Sequence, residues 1–185
     1  MKGHTTHSRK WFKMIARQVI TYGQLLKQGL SEAAIKNMYA SLKLFPTPFK
    51  GIYYIPSNEE RGGWFIEKPL HVLTKSIAAF LCASDFYYSC STAEEFLGLR
   101  WNQPSHVHIV NEKLSRKIDL RLRVNGKQGV GTYRRKKIAQ ILSYYGGALI
   151  FHKINDMGDS KFRETPYGKF ATKTQRKIDR KRFTC

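Results

Sequence analysis

The stretch Thr21-Tyr22-Gly23-Gln24-Leu25-Leu26-Lys27-Gln28-Gly29-Leu30-Ser31-Glu32-Ala33-Ala34-Ile35-Lys36-Asn37-Met38-Tyr39-Ala40-Ser41-Leu42-Lys43 reads as two short helices joined by a tight turn. Thr21 is placed to cap a helix over 22–28, and Gly29 ends it, since glycine adopts a left-handed backbone without steric cost. Ser31 then caps a longer helix running to about Lys43, with Glu32 favourably set in its positive first turn. Ile35, Met38, Tyr39 and Leu42 recur at i, i+3, i+4 and i+7 and form the buried stripe. Ala33, Lys36, Asn37, Ala40 and Lys43 are left on a small, polar outer face.

Upstream, Trp11, Phe12, Ile15, Ala16 and Val19 predict an amphipathic helix over 8–20, with Arg9, Lys10, Lys13 and Arg17 on its other side. Downstream, Pro46 and Pro48 suit an edge strand, Lys50-Gly51 a turn, and Ile52-Tyr53-Tyr54-Ile55 a strand, which together predict a hairpin. Helix, helix, turn, helix and hairpin over residues 1–58 is the order of a winged helix-turn-helix. Such a unit places its post-turn helix in the DNA major groove and its wing against the backbone. The expected contacts are Ser31, Lys36, Asn37, Ser41, Lys43 and Lys50, with Arg9, Lys10, Lys13 and Arg17 on phosphates.

The charge pattern agrees. Among 185 residues, 33 Lys and Arg against 13 Asp and Glu leave a formal charge of +20. The net charge is +8 over 1–58, −2 over 59–110, +9 over 111–154 and +5 over 155–185. Scarce acids and patchy basicity favour a polyanionic partner. No apolar run approaches the ~20 residues of a membrane span, and nothing resembles a secretory leader, so a cytoplasmic protein without a membrane partner is expected.

Asn58 to Gly63, with two glycines, reads as a linker. Beyond it, residues 64–154 predict a mixed α/β domain, and the whole chain is expected to be α+β. Pro69 starts an apolar helix to about Ala83. Phe86 to Tyr88 form a strand, and Ser91 or Thr92 caps a helix ended by Gly98. Ser105 to Val110 and Lys117 to Val124 alternate as strands, the second presenting Lys117, Asp119, Arg121 and Arg123 outward. A helix around Arg134 to Tyr145 and a strand Ala148 to His152 follow. Residues 155–185 lack apolar periodicity and read as a basic tail that orders on contact with a partner.

Catalysis is not signalled. Gly126 to Thr132 lacks the spacing of a nucleotide-binding loop and fits a turn beside the basic cluster Arg134-Arg135-Lys136-Lys137. That cluster, with Arg121 and Arg123, is expected to touch DNA phosphates. His106 and His108 read as exposed strand histidines. Cys82, Cys90 and Cys185, an odd number without paired spacing, predict neither a disulfide framework nor a metal site, and no cofactor is expected. Two rival readings are an RNA-binding protein using the basic carboxy-terminal surface and, ranked last, a nucleic-acid-processing enzyme.

Three stretches carry a family resemblance. Gln24 to Ile35 looks like the helix-Gly-Leu-Ser-helix turn of the AbiEi antitoxins of type IV toxin-antitoxin systems, and Lys50 to Ile55 looks like their Gly-x-Tyr wing strand. Tyr88 to Leu99 is similar to their Ser/Thr-Ala helix ending in Gly-Leu. The resemblance implies a DNA-binding autorepressor whose second domain opposes a nucleotidyltransferase-like toxin.

Overall fold

The computed structural model describes residues 16–99, 105–121, 131–183 and 185, and shows an α+β protein with two sheets. The first is three-stranded. β1 (Gln18–Thr21) and β2 (Phe45–Pro46) pair antiparallel on either side of β3 (Ile52–Ile55), giving the order β1-β3-β2. Between β1 and β2 lie α1 (Tyr22–Lys27) and α2 (Glu32–Ala40).

Residues 18–20 are thus a strand, which corrects the expected helix over 8–20; residues 8–15 of that helix lie outside the described residues. The run Val19-Ile20-Thr21 is β-branched, and the ladder onto Ile52–Ile55 outweighs its helical spacing. Thr21 caps α1 as expected, in a reciprocal box. Its hydroxyl accepts from the Gln24 N–H at 3.2 Å, and its own N–H donates to Gln24 Oε1 at 2.9 Å. Gly29 has φ +85°, the left-handed turn foreseen for it. α2 stops three residues short of Lys43. Ser41 Oγ bonds back to the Asn37 carbonyl at 2.8 Å, and Leu42 turns left-handed (φ 52°) to bury its side chain.

Asn58 to Gly63 forms a helix, α3, so the expected linker is corrected. Ser57 and Glu60 form a second capping box, a signature that the flanking glycines obscured. The Glu60 carboxylate is buried and accepts from Tyr54 OH (2.8 Å), Ser57 N–H (2.8 Å) and Glu67 N–H (3.0 Å), tying β3 to the chain beyond α3. Beside it, burial and then Glu60 push the Tyr54 phenol well above its ordinary value.

The second sheet has six strands in the order β6-β7-β5-β4-β9-β8. They are β4 (Phe86–Ser89), β5 (His106–Asn111), β6 (Arg116–Asp119), β7 (Ala148–Lys153), β8 (Phe162–Thr165) and β9 (Gly168–Ala171). β5 runs parallel to β7 and β4 to β9, and the other pairs are antiparallel. The helices are α4 (Pro69–Leu81), α5 (Cys90–Phe96), α6 (Thr132–Ser143) and α7 (Lys173–Arg182).

α5 begins at Cys90, with Ser89 rather than Ser91 or Thr92 preceding it. The Thr92 hydroxyl is engaged elsewhere, accepting from the His108 N–H at 2.9 Å. β6 ends at Asp119, short of the expected Val124. The backbone is helical at Leu120 and Arg121, and 122–130 lie outside the described residues.

α4 packs on β1 and β3, and α6 on β2. A hydrophobic cluster therefore runs from Leu42, Phe45 and Phe49 through Ile77 into Ile109 and Phe151, across the position expected to divide two domains.

Residues 155–185 are not a tail awaiting a partner, because β8, β9 and α7 complete the second sheet. Phe162 stacks on Tyr87, and Phe170 on Phe96 at 3.7 Å between centroids. The inward residues of α7 are Gln175, Arg176 and Asp179, all polar, which is why no apolar period announces this helix. Asp179 accepts from Ser89 Oγ, Tyr87 OH and Gln175 Nε2, and Arg176 meets Glu94 at 3.0 Å. Contrary to expectation, Cys90 and Cys185 form a disulfide that ties the start of α5 to the chain just past α7. No helix among the described residues is long and apolar enough to cross a membrane.

The Glu60 joint gives a first prediction. Glu60→Ala strands the buried Tyr54 hydroxyl and two partly buried N–H groups and should cost about 3 kcal/mol in urea unfolding, whereas Glu60→Gln keeps an acceptor oxygen and should cost less than half of that. A loss below about 1 kcal/mol for Glu60→Ala would show that water replaces the carboxylate.

Candidate nucleic-acid interface

α2 is positioned by its own sequence. Ser31 Oγ accepts from the Ala34 N–H at 3.2 Å, and Ile35 enters the small core of Ile20, Leu25, Leu44 and Ile55. Ala33, Lys36, Asn37 and Ala40 are exposed on the helix and Lys43 just past its end, the outer face expected from spacing. The two alanines keep that face low, so a partner surface can approach the helix backbone. Lys36 reaches Glu32 at 4.0 Å, an exposed i,i+4 pair that leaves the ammonium in water. Ser31 and Ser41 are exposed, but their hydroxyls serve the two ends of the helix.

The hairpin does not project as a free wing. Thr47 Oγ1 donates to the Ile52 carbonyl at 2.8 Å, and Phe49 turns inward, stacking on Phe80 at 4.3 Å. Lys50 alone of this turn is a basic exposed residue. It stands at a cleft of about 360 Å³ that Tyr39, Tyr53 and Ile138 also line, so α2, the hairpin and α6 meet there.

The basic cluster opening α6 divides. Arg134 Nη2 donates to the Tyr39 carbonyl at 3.3 Å and its guanidinium lies 5.4 Å from the Tyr39 ring, clamping α6 to the end of α2. Lys137 sits over Trp64 and Tyr133 at 5.0 and 5.5 Å. Arg135 is half-buried, and Lys136 is exposed. The structure thus brings Lys50, the end of α2 and α6 together around one cleft, while Lys36 and Asn37 stand on the exposed face of α2 and Lys43 just past its end. Burial, then Tyr39 and Tyr22, raise the Tyr53 phenol above its ordinary value; burial, then Glu32, do the same for Tyr22. Both stay neutral at pH 7, leaving the local charge to lysine and arginine.

Two expected phosphate contacts are engaged otherwise. Arg17 pairs with Glu67 at 2.9 Å and Glu59 at 3.6 Å, and Arg121 with Asp119 at 3.6 Å. Arg9, Lys10, Lys13 and Arg123 lie outside the described residues.

A second polar cluster escaped sequence reasoning. His108, read as exposed, is buried, and its Nδ1 lies 3.0 Å from His152 Nε2 on the parallel neighbour β7. Burial, then His152 and His106, push His108 down to about 4, so its ring is neutral at pH 7. Burial also lowers His152, against an opposing pull from Asp179. Burial, then Asp179, push the Tyr87 phenol up to about 12. Cys82, by contrast, is exposed, and its thiol donates to the Ala79 carbonyl of its own helix. Strand register decides these neighbours, and residue spacing carries no trace of them.

Compared with protein-family models, with curated proteins and with solved structures, the chain finds no match.

The division of the basic cluster yields a second prediction. Arg134→Ala removes a cation–π contact and a hydrogen bond and should lower stability by about 1–2 kcal/mol. Lys136→Ala, two residues away and exposed, should change it by less than about 0.5 kcal/mol. Urea midpoints of the two variants check this, and equal losses would undo the assignment of Arg134 as a clamp.

Proposed function

We propose that this protein reads double-stranded DNA by sequence, with residues 16–55 as the core of a winged helix-turn-helix and α2 as the helix that enters the major groove. The observation that carries the reading is the exposed face Ala33, Lys36, Asn37, Ala40 and Lys43, with Lys50 and the exposed Lys136 on the neighbouring elements. The strand–helix–turn–helix–hairpin order with the sheet β1-β3-β2 supports it. An α helix with its side chains is about 10–12 Å across, which a major groove about 12 Å wide admits. Asn37 and Lys36 reach base edges, while Lys43, Lys50 and Lys136 neutralise phosphates. The hairpin contributes little beyond Lys50, because its apolar residues are spent on the core.

The regulatory role is proposed from the resemblance stated above. Its three stretches fall on α1–turn–α2 and β3 of the small-sheet unit and on β4–α5 of the six-stranded one. On this reading the protein represses its own promoter as an antitoxin, and the six-stranded unit serves in opposing a nucleotidyltransferase-like toxin.

Selection from a random duplex pool should return a preferred sequence. Lys36→Ala with Asn37→Ala should then lower the specific-to-random affinity ratio at least tenfold, at ~1–3 kcal/mol per good base contact. Lys50→Ala with Lys136→Ala should keep the preferred sequence and make the slope of log K against log salt shallower by about 2, from −0.9 per phosphate. Structured RNA outcompeting duplex DNA at matched salt would replace this reading with RNA binding.

A further inference from the structure

Cys90, His108 and Cys185 come from three separate segments, the start of α5, the middle of β5 and the chain past α7. Their ligand atoms nonetheless lie within 4.8 Å of one another. A disulfide needs only the two sulfurs. The third partner is a buried imidazole whose Nδ1 already meets His152 Nε2, which leaves Nε2 for another bond. His152 is itself held by Phe183, stacked at 4.2 Å between centroids. A ligand histidine is usually oriented by a hydrogen bond from its other ring nitrogen, and the pinned His152 ring supplies the acceptor here.

We propose that the reduced chain binds one zinc ion through Cys90 Sγ, Cys185 Sγ and His108 Nε2, with His152 as the positioning residue. Two thiolates and an imidazole are the donor set that favours Zn²⁺ over hard cations. Bonds of about 2.3 Å to sulfur and 2.0 Å to nitrogen put tetrahedral ligand atoms roughly 3.5–3.8 Å apart, inside the observed spread. The cysteine Cα atoms are 6.0 Å apart, and the sulfurs separate to that spacing by side-chain rotation. Cys185 is exposed, so the fourth position opens to solvent and takes water or a small anionic ligand.

The two states exchange by balanced chemistry. A dithiol reductant gives up two electrons and two protons, becoming a disulfide, and the Cys90–Cys185 bond opens to two thiols. Zn²⁺ then displaces both thiol protons to solvent, and the thiolates cancel its charge. The disulfide and the metal are alternative cross-links of the same two segments.

The test uses the full chain, reduced with dithiothreitol, stripped with a chelator and titrated with Co²⁺ under exclusion of oxygen. One Co²⁺ per chain should bind, with thiolate-to-cobalt charge transfer in the near ultraviolet and tetrahedral bands in the visible, and Zn²⁺ should displace it. The oxidised chain should show neither. Cys185→Ser, at an exposed position, should abolish the charge-transfer pattern, and Cys82→Ser should leave it intact. His152→Asn should weaken affinity about 10–100-fold with the same bands. If reduction unfolds the metal-free chain, Co²⁺ should restore the circular dichroism together with the charge transfer. A reduced chain without charge transfer, or a Cys185→Ser variant that binds like the parent, overturns the proposal and leaves a disulfide alone.

Discussion

Phe49 stacked on Phe80, with Phe151 edge-on at 6.2 Å, is the aromatic contact that carries the hairpin into the core shared by the two sheets. Phe49 comes from the hairpin, Phe80 from α4 and Phe151 from β7, so one aromatic cluster spans both sheets, beside the packing of α4 on β1 and β3 and of α6 on β2. Without it the hairpin tip would face water. With it α6 lies along β2, and Arg134 reaches the end of α2. The approach of Arg134 and Lys50 to the end of α2 is thus a consequence of apolar packing, since like charges do not assemble themselves.

The cost of that packing falls on the hairpin. A free wing presents several residues to a polyanion, whereas here Pro46 to Phe49 are buried and Lys50 is left. The basic surface shifts to α6, an element distant in sequence. The footprint proposed for DNA is accordingly built from both halves of the chain, and neither half holds it alone.

On the six-stranded unit α7 solves a different problem, that of docking on a sheet with an inward face that holds no apolar residue. α7 carries basic residues on its outer face and closes on the sheet through Asp179, Gln175 and Arg176. Each has a partner in Tyr87, Ser89 or Glu94, and burial of those polar groups is sustained by their mutual hydrogen bonds. The His108–His152 pair and the Cys90–Cys185 bond lie at the same end of β4 and β5, where α5 and α7 meet. Here polar and covalent links join stacked rings, Phe183 on His152 and Phe96 on Phe170, in holding the helices to the sheet.

Local chemistry made much of this legible from residues alone. The caps Thr21 and Ser31, the turn at Gly29, the outer face of α2, the hairpin strand Ile52–Ile55 and the start of α4 at Pro69 depend on neighbours within a turn or a pleat. Such interactions are written in short spacings. Three things were not legible that way. Residues 18–20 became strand because β3 offered them a ladder, α3 formed although its glycines read as a linker, and α7 buried a polar face that has no period to detect. The division of Arg134 to Lys137 into clamp and free charge, and the meeting of Cys90, His108 and Cys185, belong to tertiary structure entirely. Each rests on residues far apart along the chain: the pairing of β4 with β5 and the docking of α7 bring the cysteines to His108, and the packing of α6 against the small sheet brings Arg134 to Tyr39.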